Sequence, residues 1–478
     1  MSIVMEDQVR RIVADLVASY ADKKVISQPP GHEKSIGMQG VFSDMESAIA
    51  AAHEAQKRLI ALPLEIRKRI IASMREVAES HAQEFASRAV AETGRGNEAD
   101  KTLKNLLAAR KTPGVEDVET VAYSDEHGLT VVERAPYGVI GSIIPVTNPT
   151  ATVINNGISM VSGGNAVVFN PHPAAKQSSC YAIQVLDEAI ERAGGPANVL
   201  VSLADPTIES ANIMMKHPQI ALLVVTGGPA VVRAAMGSGK KVIAAGPGNP
   251  PCVVDETAHV EKAARDIVAG ASFDNNMVCI CEKEILAVES IAGRLISAMQ
   301  KNGAYLLDPL QAKKLIGIVI DVPGGPGKEG SIHKEYVGKS AHELARLVGV
   351  TVPDTTRLLI CEVDAGNPLV WTEQLMPFLP VVTMANVDQC IDLAAQCEHG
   401  FRHSAMMHSM DIENLTKMAR AMNCSLFVKN GPCFAGLGQG GAGYASLTIA
   451  SPTGEGLTRA RTFTRERRCT LVDYFRII

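Results

Sequence analysis

A single tryptophan and an aromatic content of 4% leave the core to Ala, Val, Ile, Leu and Met. No long basic run is present and the net charge is −5, which speaks against a nucleic-acid or membrane-surface protein. No apolar run reaches transmembrane length, and no apolar signal segment opens the sequence. The ten cysteines are scattered and form no paired C-x-x-C units, so neither a disulfide framework nor a structural zinc site is expected. The expectation is free thiols in a reducing, cytosolic compartment, with no metal site.

What is there describes an ordinary globular chain, 46% hydrophobic and 20% charged, whose 478 residues predict roughly two to three domains. Forty glycines predict many tight turns and close backbone approaches. Val9, Ile12, Val13, Leu16, Val17 and Tyr20 place one apolar stripe on an N-terminal helix. The following 23–40 segment, with Pro29, Pro30, Gly31, Gly37 and Gly40, reads as a linker. Such a helix either folds back on its own subunit or docks in a partner's groove.

From Ser43 to about Leu107 the pattern is helical, with Ser43 or Asp44 as N-cap. Tyr123 to Pro136 reads as two strands about the turn Glu126-His127-Gly128. Strands are then expected at 139–144, 166–170, 199–203 and 221–225, with helices at 150–163, 174–193 and 208–217 between them. This alternation with near-continuous apolar strands predicts a parallel sheet covered on both faces. A second α/β stretch is expected from Gly248 to about Met407, and 463–478 looks strand-like. No internal repeat of 20–50 residues is present.

Four segments carry candidate chemistry. Cys279 lies in F-D-N-N-M-V-C-I-C-E-K-E, between a small-residue helix and an apolar run, and a free cysteine taken alone is more often simply packed. The strand 221–225 enters Thr226-Gly227-Gly228-Pro229 and a helix, an outline of a dinucleotide site, since glycines admit a ligand and the helix start is electropositive. Gly246-Pro247-Gly248-Asn249-Pro250-Pro251 is a rigid turn that also reads as a domain hinge. The six-glycine loop from Gly431 to Gly443 either lines an acyl or cofactor channel or lies on the surface. Gly338-Lys339-Ser340 is not a P-loop, because His333 stands where the upstream glycine is needed.

In order, P-V-T-N-P (145–149), G-N-A-V-V-F-N-P-H-P (164–173), T-G-G-P (226–229), G-P-G-N-P-P (246–251), the Cys279 loop and E-Q-L-M-P-F-L-P (373–380) resemble the aldehyde dehydrogenase superfamily over about residues 40–478. D-N-N-x-x-C-I-x-E-K-E, V-T-G-G-P-A-V-V and N-P-H-P-A-A-K are most similar to its CoA-acylating branch of bacterial microcompartments. The resemblance implies an α/β fold of two doubly wound parallel-sheet domains, a β oligomerisation arm and an N-terminal amphipathic helix. It divides the chain into a targeting helix (1–22), a linker (23–40), an NAD-binding domain (41–118 and 138–248), a catalytic domain (249–445) and the arm (119–137 and 460–478). A homodimer or homotetramer, encapsulated and touching a shell or cargo protein through residues 1–22, goes with it.

The resemblance makes Cys279 the nucleophile and its main-chain N–H one oxyanion donor, with Thr147 or Asn148 as the side-chain donor. It places Ile144, Pro145, Asn170, His172, Thr226, Gly227, Gly228, Val231, Ala245 and Gly246 around NAD, Glu373 on the nicotinamide ribose and Leu375 against the nicotinamide. Asn170 stands where many relatives have a lysine, and Pro173 where they have an acidic ribose ligand, so the ribose grip should differ. Ala245, 34 positions before Cys279, replaces the glutamate with which hydrolytic relatives activate water. The activity implied is NAD-dependent oxidation of a short aldehyde, propanal or ethanal, to its acyl-CoA through a cysteine thioester, with CoA as co-substrate. The alternatives are a hydrolytic, CoA-independent aldehyde dehydrogenase and an inactive shell-docking scaffold of the same fold. Cys281 is expected to be structural.

Overall fold

Strands that are apolar throughout must be covered on both faces, and the sequence supplies helices for that purpose. The computed structural model describes residues 38–478. The amphipathic helix and nearly all of the linker expected before them lie outside the described residues. Val139–Ile144, Ala166–Pro171 and Leu200–Leu203 are buried at every position. They form a six-stranded parallel sheet in the order Val41–Phe42, Leu200–Leu203, Ala166–Pro171, Val139–Ile144, Ile220–Thr226, Val242–Ala245. The chain steps outward on one side of Val139–Ile144, then returns to lay Ile220–Thr226 on the other. This reversal leaves a crevice beyond the carboxyl ends of those two strands, where an open α/β sheet takes its ligands.

Four helices, Met45–Ala61, Leu64–Ser80, Ala82–Thr93 and Glu98–Lys111, fill the region expected to be helical. Asp44 is the N-cap of the first and accepts the Ser47 N–H at 2.8 Å. Helix Pro149–Ser162 is buried along its whole length and has Pro at its first turn, as befits a stretch with no polar face. Its buried Asn155 donates to Thr112 Oγ1 at 2.8 Å, and Asn156 Oδ1 accepts from Thr448 Oγ1 at 3.1 Å. The helix expected at 174–193 opens as a 3-10 turn, Pro173–Ala175, and is α-helical over Lys176–Arg192.

A second parallel sheet has seven strands: Ala304–Leu306, Leu358–Glu362, Phe378–Met384, Glu284–Val288, Pro251–Val254, Ser404–His408 and Leu426–Lys429. The α/β stretch therefore runs past Met407, because Ser404–His408 pairs onward with Leu426–Lys429. Val121–Asp125, Gly128–Pro136 and Thr464–Val472 make a separate antiparallel ribbon. Gly128 sits at φ 131° in its turn, and a Cβ there would lie 2.1 Å from the Leu471 carbonyl oxygen. The strand expected over 463–478 stops at Val472, since pairing ends with Gly128 and the last residues have no strand to pair with. Among the described residues no helix is long and apolar enough to cross a membrane.

Candidate active site

Helix Val260–Ala271 delivers the chain into a short turn, Phe273–Asn276, whose backbone is unusual. Asp274, Asn275 and Asn276 have φ of 48°, 54° and 63°, three consecutive left-handed residues that are not glycine. Asp and Asn are the side chains that tolerate this region, yet each such residue still costs about 1–3 kcal/mol and persists only where its surroundings enforce it. Cys279 follows, half-buried, between fully buried Val278 and Ile280.

Buried lysines do the enforcing. Asp274 is wholly buried and pairs with Lys101 at 3.0 Å and with Lys104, both on helix Glu98–Lys111. It also accepts the Asn97 N–H at 3.0 Å and donates its own N–H to Asp100 Oδ2 at 2.9 Å, which Arg357 pairs at the same distance. On the other side Lys283, fully buried, donates to the Asn276 carbonyl at 2.9 Å and to the Asn276 side chain. Burial brings the Lys101 ammonium down to about 8, Lys104 adds to that fall, and Asp274 opposes it. Asn275 Nδ2 reaches the Gly338 carbonyl at 2.9 Å, and the Gly338 N–H in turn donates to the Leu375 carbonyl at 2.9 Å. Leu375 is held at φ 50°, an outlier for a branched side chain.

Burial pushes the Cys279 thiol up to about 12, the Glu373 carboxylate adds to the rise, and Lys283 pulls the other way. Burial lifts Glu373 itself to about 7, with Lys283 opposing, Glu329 adding, and a Gly248 N–H bond opposing. Cys279, Glu373 and Lys283 are therefore electrostatic neighbours, the first two as the family resemblance implies. His403 closes the site from behind. It is wholly buried, Nδ1 meets Ser404 Oγ at 2.7 Å, and Nε2 has no partner among the described residues. Burial, then Lys283, brings it down to about 4, so the imidazole is neutral at ordinary pH. Gly248 lies against both: a Cβ there would come 3.0 Å from His403 Cγ and 3.1 Å from the Cys279 carbonyl oxygen.

Asn148 caps helix Pro149–Ser162, and its Oδ1 accepts from Lys104 Nζ at 2.5 Å. Thr147 is half-buried, its carbonyl accepts from Lys101 Nζ at 3.2 Å, and its hydroxyl accepts from Asn148 Nδ2 at 3.2 Å. One lysine pair thus ties both candidate oxyanion donors to the Cys279 loop.

The remaining expected residues gather at the crevice of the six-stranded sheet. Ile144 ends its strand, with Pro145 after it, and accepts the His172 N–H at 3.1 Å. Asn170 points its Oδ1 at Ser210 Oγ, 2.7 Å away, and is occupied by that bond. Thr226 is the register partner of Ala245, with Gly246 next in the chain. Gly228 starts helix Pro229–Met236, and a Cβ on it would meet nothing within 4 Å, whereas one on Gly227 would sit 2.9 Å from Val231. Open backbone at a helix start, flanked by Val231, fits a dinucleotide pyrophosphate. The Gly431–Gly443 loop is divided: its Cys433 and Leu437 are buried, with the Phe434 ring 5.2 Å from that of Phe273, while Gly440, Ala442 and Gly443 are exposed. Cys281 is fully buried, as expected of a packing residue.

Lys101, Lys104, Asp274, Lys283 and His403 join the site without having been expected from the sequence. One signal was available. Helix Glu98–Lys111 buries Asp100, Lys101, Lys104 and Asn105 on one face while Leu103 is 44% exposed, a polar stripe turned inward. The stripe is visible in E-A-D-K-T-L-K-N, but its direction is not.

Residues 25–448 match the Aldehyde dehydrogenase family. The chain is 48% identical to the acetaldehyde dehydrogenase (acetylating) EutE of Salmonella typhimurium, over 99% of this chain and 100% of that protein. It superposes with a TM-score of 0.88, at 47% identity and over 91% of this chain and 98% of the other, on a Rhodopseudomonas palustris propionaldehyde dehydrogenase with bound CoA and an acylated cysteine. A propionaldehyde dehydrogenase from the fucose utilisation bacterial microcompartment of Clostridium phytofermentans gives 0.89, at 46% identity, over 92% of this chain and all of the other. With that agreement in sequence and fold along nearly the whole chain, this protein belongs to the aldehyde dehydrogenase family.

Proposed function

We propose that the chain oxidises a short aldehyde, ethanal or propanal, to its acyl-CoA with NAD as hydride acceptor and CoA as acyl acceptor. The observation that carries this is Cys279 on a lysine-anchored loop together with a methyl, Ala245, where water activation would need a carboxylate. The whole-length likeness to acetylating and propionaldehyde dehydrogenases supports it.

Cys279 loses its proton and attacks the aldehyde carbon, giving a thiohemiacetal. Its alkoxide is held by the Cys279 N–H and an amide N–H of Asn148, whose Oδ1 is held by Lys104. NAD, when bound, would supply the hydride acceptor; Gly227, Gly228 and the helix start would hold its pyrophosphate, Glu373 its ribose, and Leu375 would face the nicotinamide. The resulting thioester on Cys279 passes its acyl group to the CoA thiolate. His403 stays neutral behind the site, its Nε2 without a partner among the described residues.

One observation favours a second reading. Glu373, at about 7 and next to Cys279, is placed to activate water and would make the enzyme hydrolytic. A panel from ethanal to butanal, assayed for NADH with and without CoA, separates the two: steady turnover needs CoA in the first and ignores it in the second.

The division into an NAD-binding domain, a catalytic domain and an arm follows the same reading. The arm exposes Val121, Tyr123, Leu471, Val472, Tyr474 and Phe475, which suits a homo-oligomer interface. Encapsulation, with residues 1–22 as the docking helix, completes the proposal.

A further inference from the structure

Lys104 is 3% exposed, and a lysine is almost never buried without a purpose for its charge. Its ammonium joins two segments far apart in the chain, the Asp274 carboxylate and Asn148 Oδ1, the latter at 2.5 Å. An ammonium has three donors and no acceptor, so an amide facing it must present oxygen. That fixes which way Asn148 points: its two N–H bonds face away from Lys104. One meets Thr147 Oγ1 at 3.2 Å and the other is left for a ligand. Through Asp274 the same ammonium holds the left-handed 274–276 stretch that carries Cys279.

We propose that Lys104 is a positioning residue that fixes the amide of Asn148 and ties it to the Cys279 loop, so that both oxyanion donors are set before the aldehyde arrives. This rests on the reading that Asn148 is the side-chain donor. An apolar residue of the same length would fill the space but leave the amide free to flip, presenting its oxygen to a developing negative charge.

The test is a double-mutant cycle in the full-length enzyme, reading single-turnover NADH formation from aldehyde and NAD. Asn148→Ala should slow this step by about 10²–10³-fold, the usual loss of one oxyanion donor. Lys104→Met should slow it by about 10²-fold with the aldehyde KM changed much less, the signature of an interaction made in the transition state. In the Asn148→Ala background Lys104→Met should then cost far less, only what the Cys279 loop loses through Asp274. Iodoacetamide labelling of Cys279 and the melting temperature report whether the loop is merely disordered. Should Lys104→Met fail to fold, Lys104→Gln, which keeps a donor for Oδ1, replaces it; its smaller loss should likewise shrink in the Asn148→Ala background. Losses that multiply, or no loss in the Lys104 variants, overturn the proposal while leaving Asn148 as donor. A fully active Asn148→Ala overturns the donor reading and the proposal with it.

Discussion

Ala245 and Thr226 face each other on adjacent parallel strands at the rim of the crevice, and Ala245 is 4% exposed. A methyl in this place cannot take a proton from water. General-base help is worth roughly 10²–10⁴-fold. Ala245→Glu should therefore raise acid release without CoA by about 10²-fold, the lower end of that range, as read by steady NADH formation. An unchanged rate would show that a missing carboxylate at this place is not what limits hydrolysis.

Cys279→Ala should abolish acyl-CoA formation and leave NAD binding intact, because the covalent intermediate has nowhere else to form. Cys281→Ala removes a buried thiol that points at the Phe273 carbonyl, 3.8 Å away, and should keep most of the activity. The reverse pattern in an acyl-CoA assay would move the nucleophile to Cys281.

In the enzyme without cofactor, alkylation of Cys279 by iodoacetamide should climb steadily from pH 7 to pH 10 with no plateau, because its thiol is held up to about 12. Glu373 contributes to that rise and is itself charged only above about 7. Glu373→Gln should accordingly speed labelling at pH 9 and change it little at pH 6. A plateau near pH 8, or a Glu373→Gln effect that is the same at both pH values, would contradict this electrostatic picture.

Asp274→Asn strips the counter-charge from two buried lysines at once. Removing one partner of a buried pair costs about 3–5 kcal/mol, and the urea midpoint should fall accordingly. Since the same carboxylate enforces the left-handed 274–276 stretch, kcat should drop as well. A variant of unchanged stability would mean that Lys101 and Lys104 are satisfied without it.

Deleting residues 1–22 should leave specific activity and melting temperature nearly unchanged, and those residues fused to a fluorescent protein should direct it to shells in a host that makes them. A short helix with one apolar face is marginal in water and gains order when that face is covered. Loss of stability on deletion, or a diffuse fusion, would make the segment part of the body.

What was legible in the sequence is what is local. The alternation from Val139 to Val225 placed the four central strands of the first sheet nearly residue for residue, since each strand and helix declares its own period, but not the two edge strands, Val41–Phe42 and Val242–Ala245. Cys279, Glu373 and the Thr226–Gly228 turn stood out through short strings. The anchors did not. Lys104 meets Asn148 across 44 residues and Asp274 across 170, and no window of sequence contains either pair. Buried lysines read as solvated ones, and His403 read as nothing at all, because only tertiary packing decides which face of a polar helix turns inward. The left-handed 274–276 stretch was equally hidden: D-N-N permits that backbone but does not demand it. The end of the last strand at Val472 depends on where its partner begins, at Gly128, which again is not a local property.

The central claim is that Cys279 forms a thioester that only CoA clears quickly. Intact-mass spectrometry after adding propanal and NAD without CoA tests it most directly. One acyl group per chain, mapped to Cys279, is expected, with a burst of NADH and then slow turnover, and with disappearance of the adduct and acyl-CoA formation once CoA is added. Rapid, steady release of free carboxylic acid from an unmodified chain would contradict it.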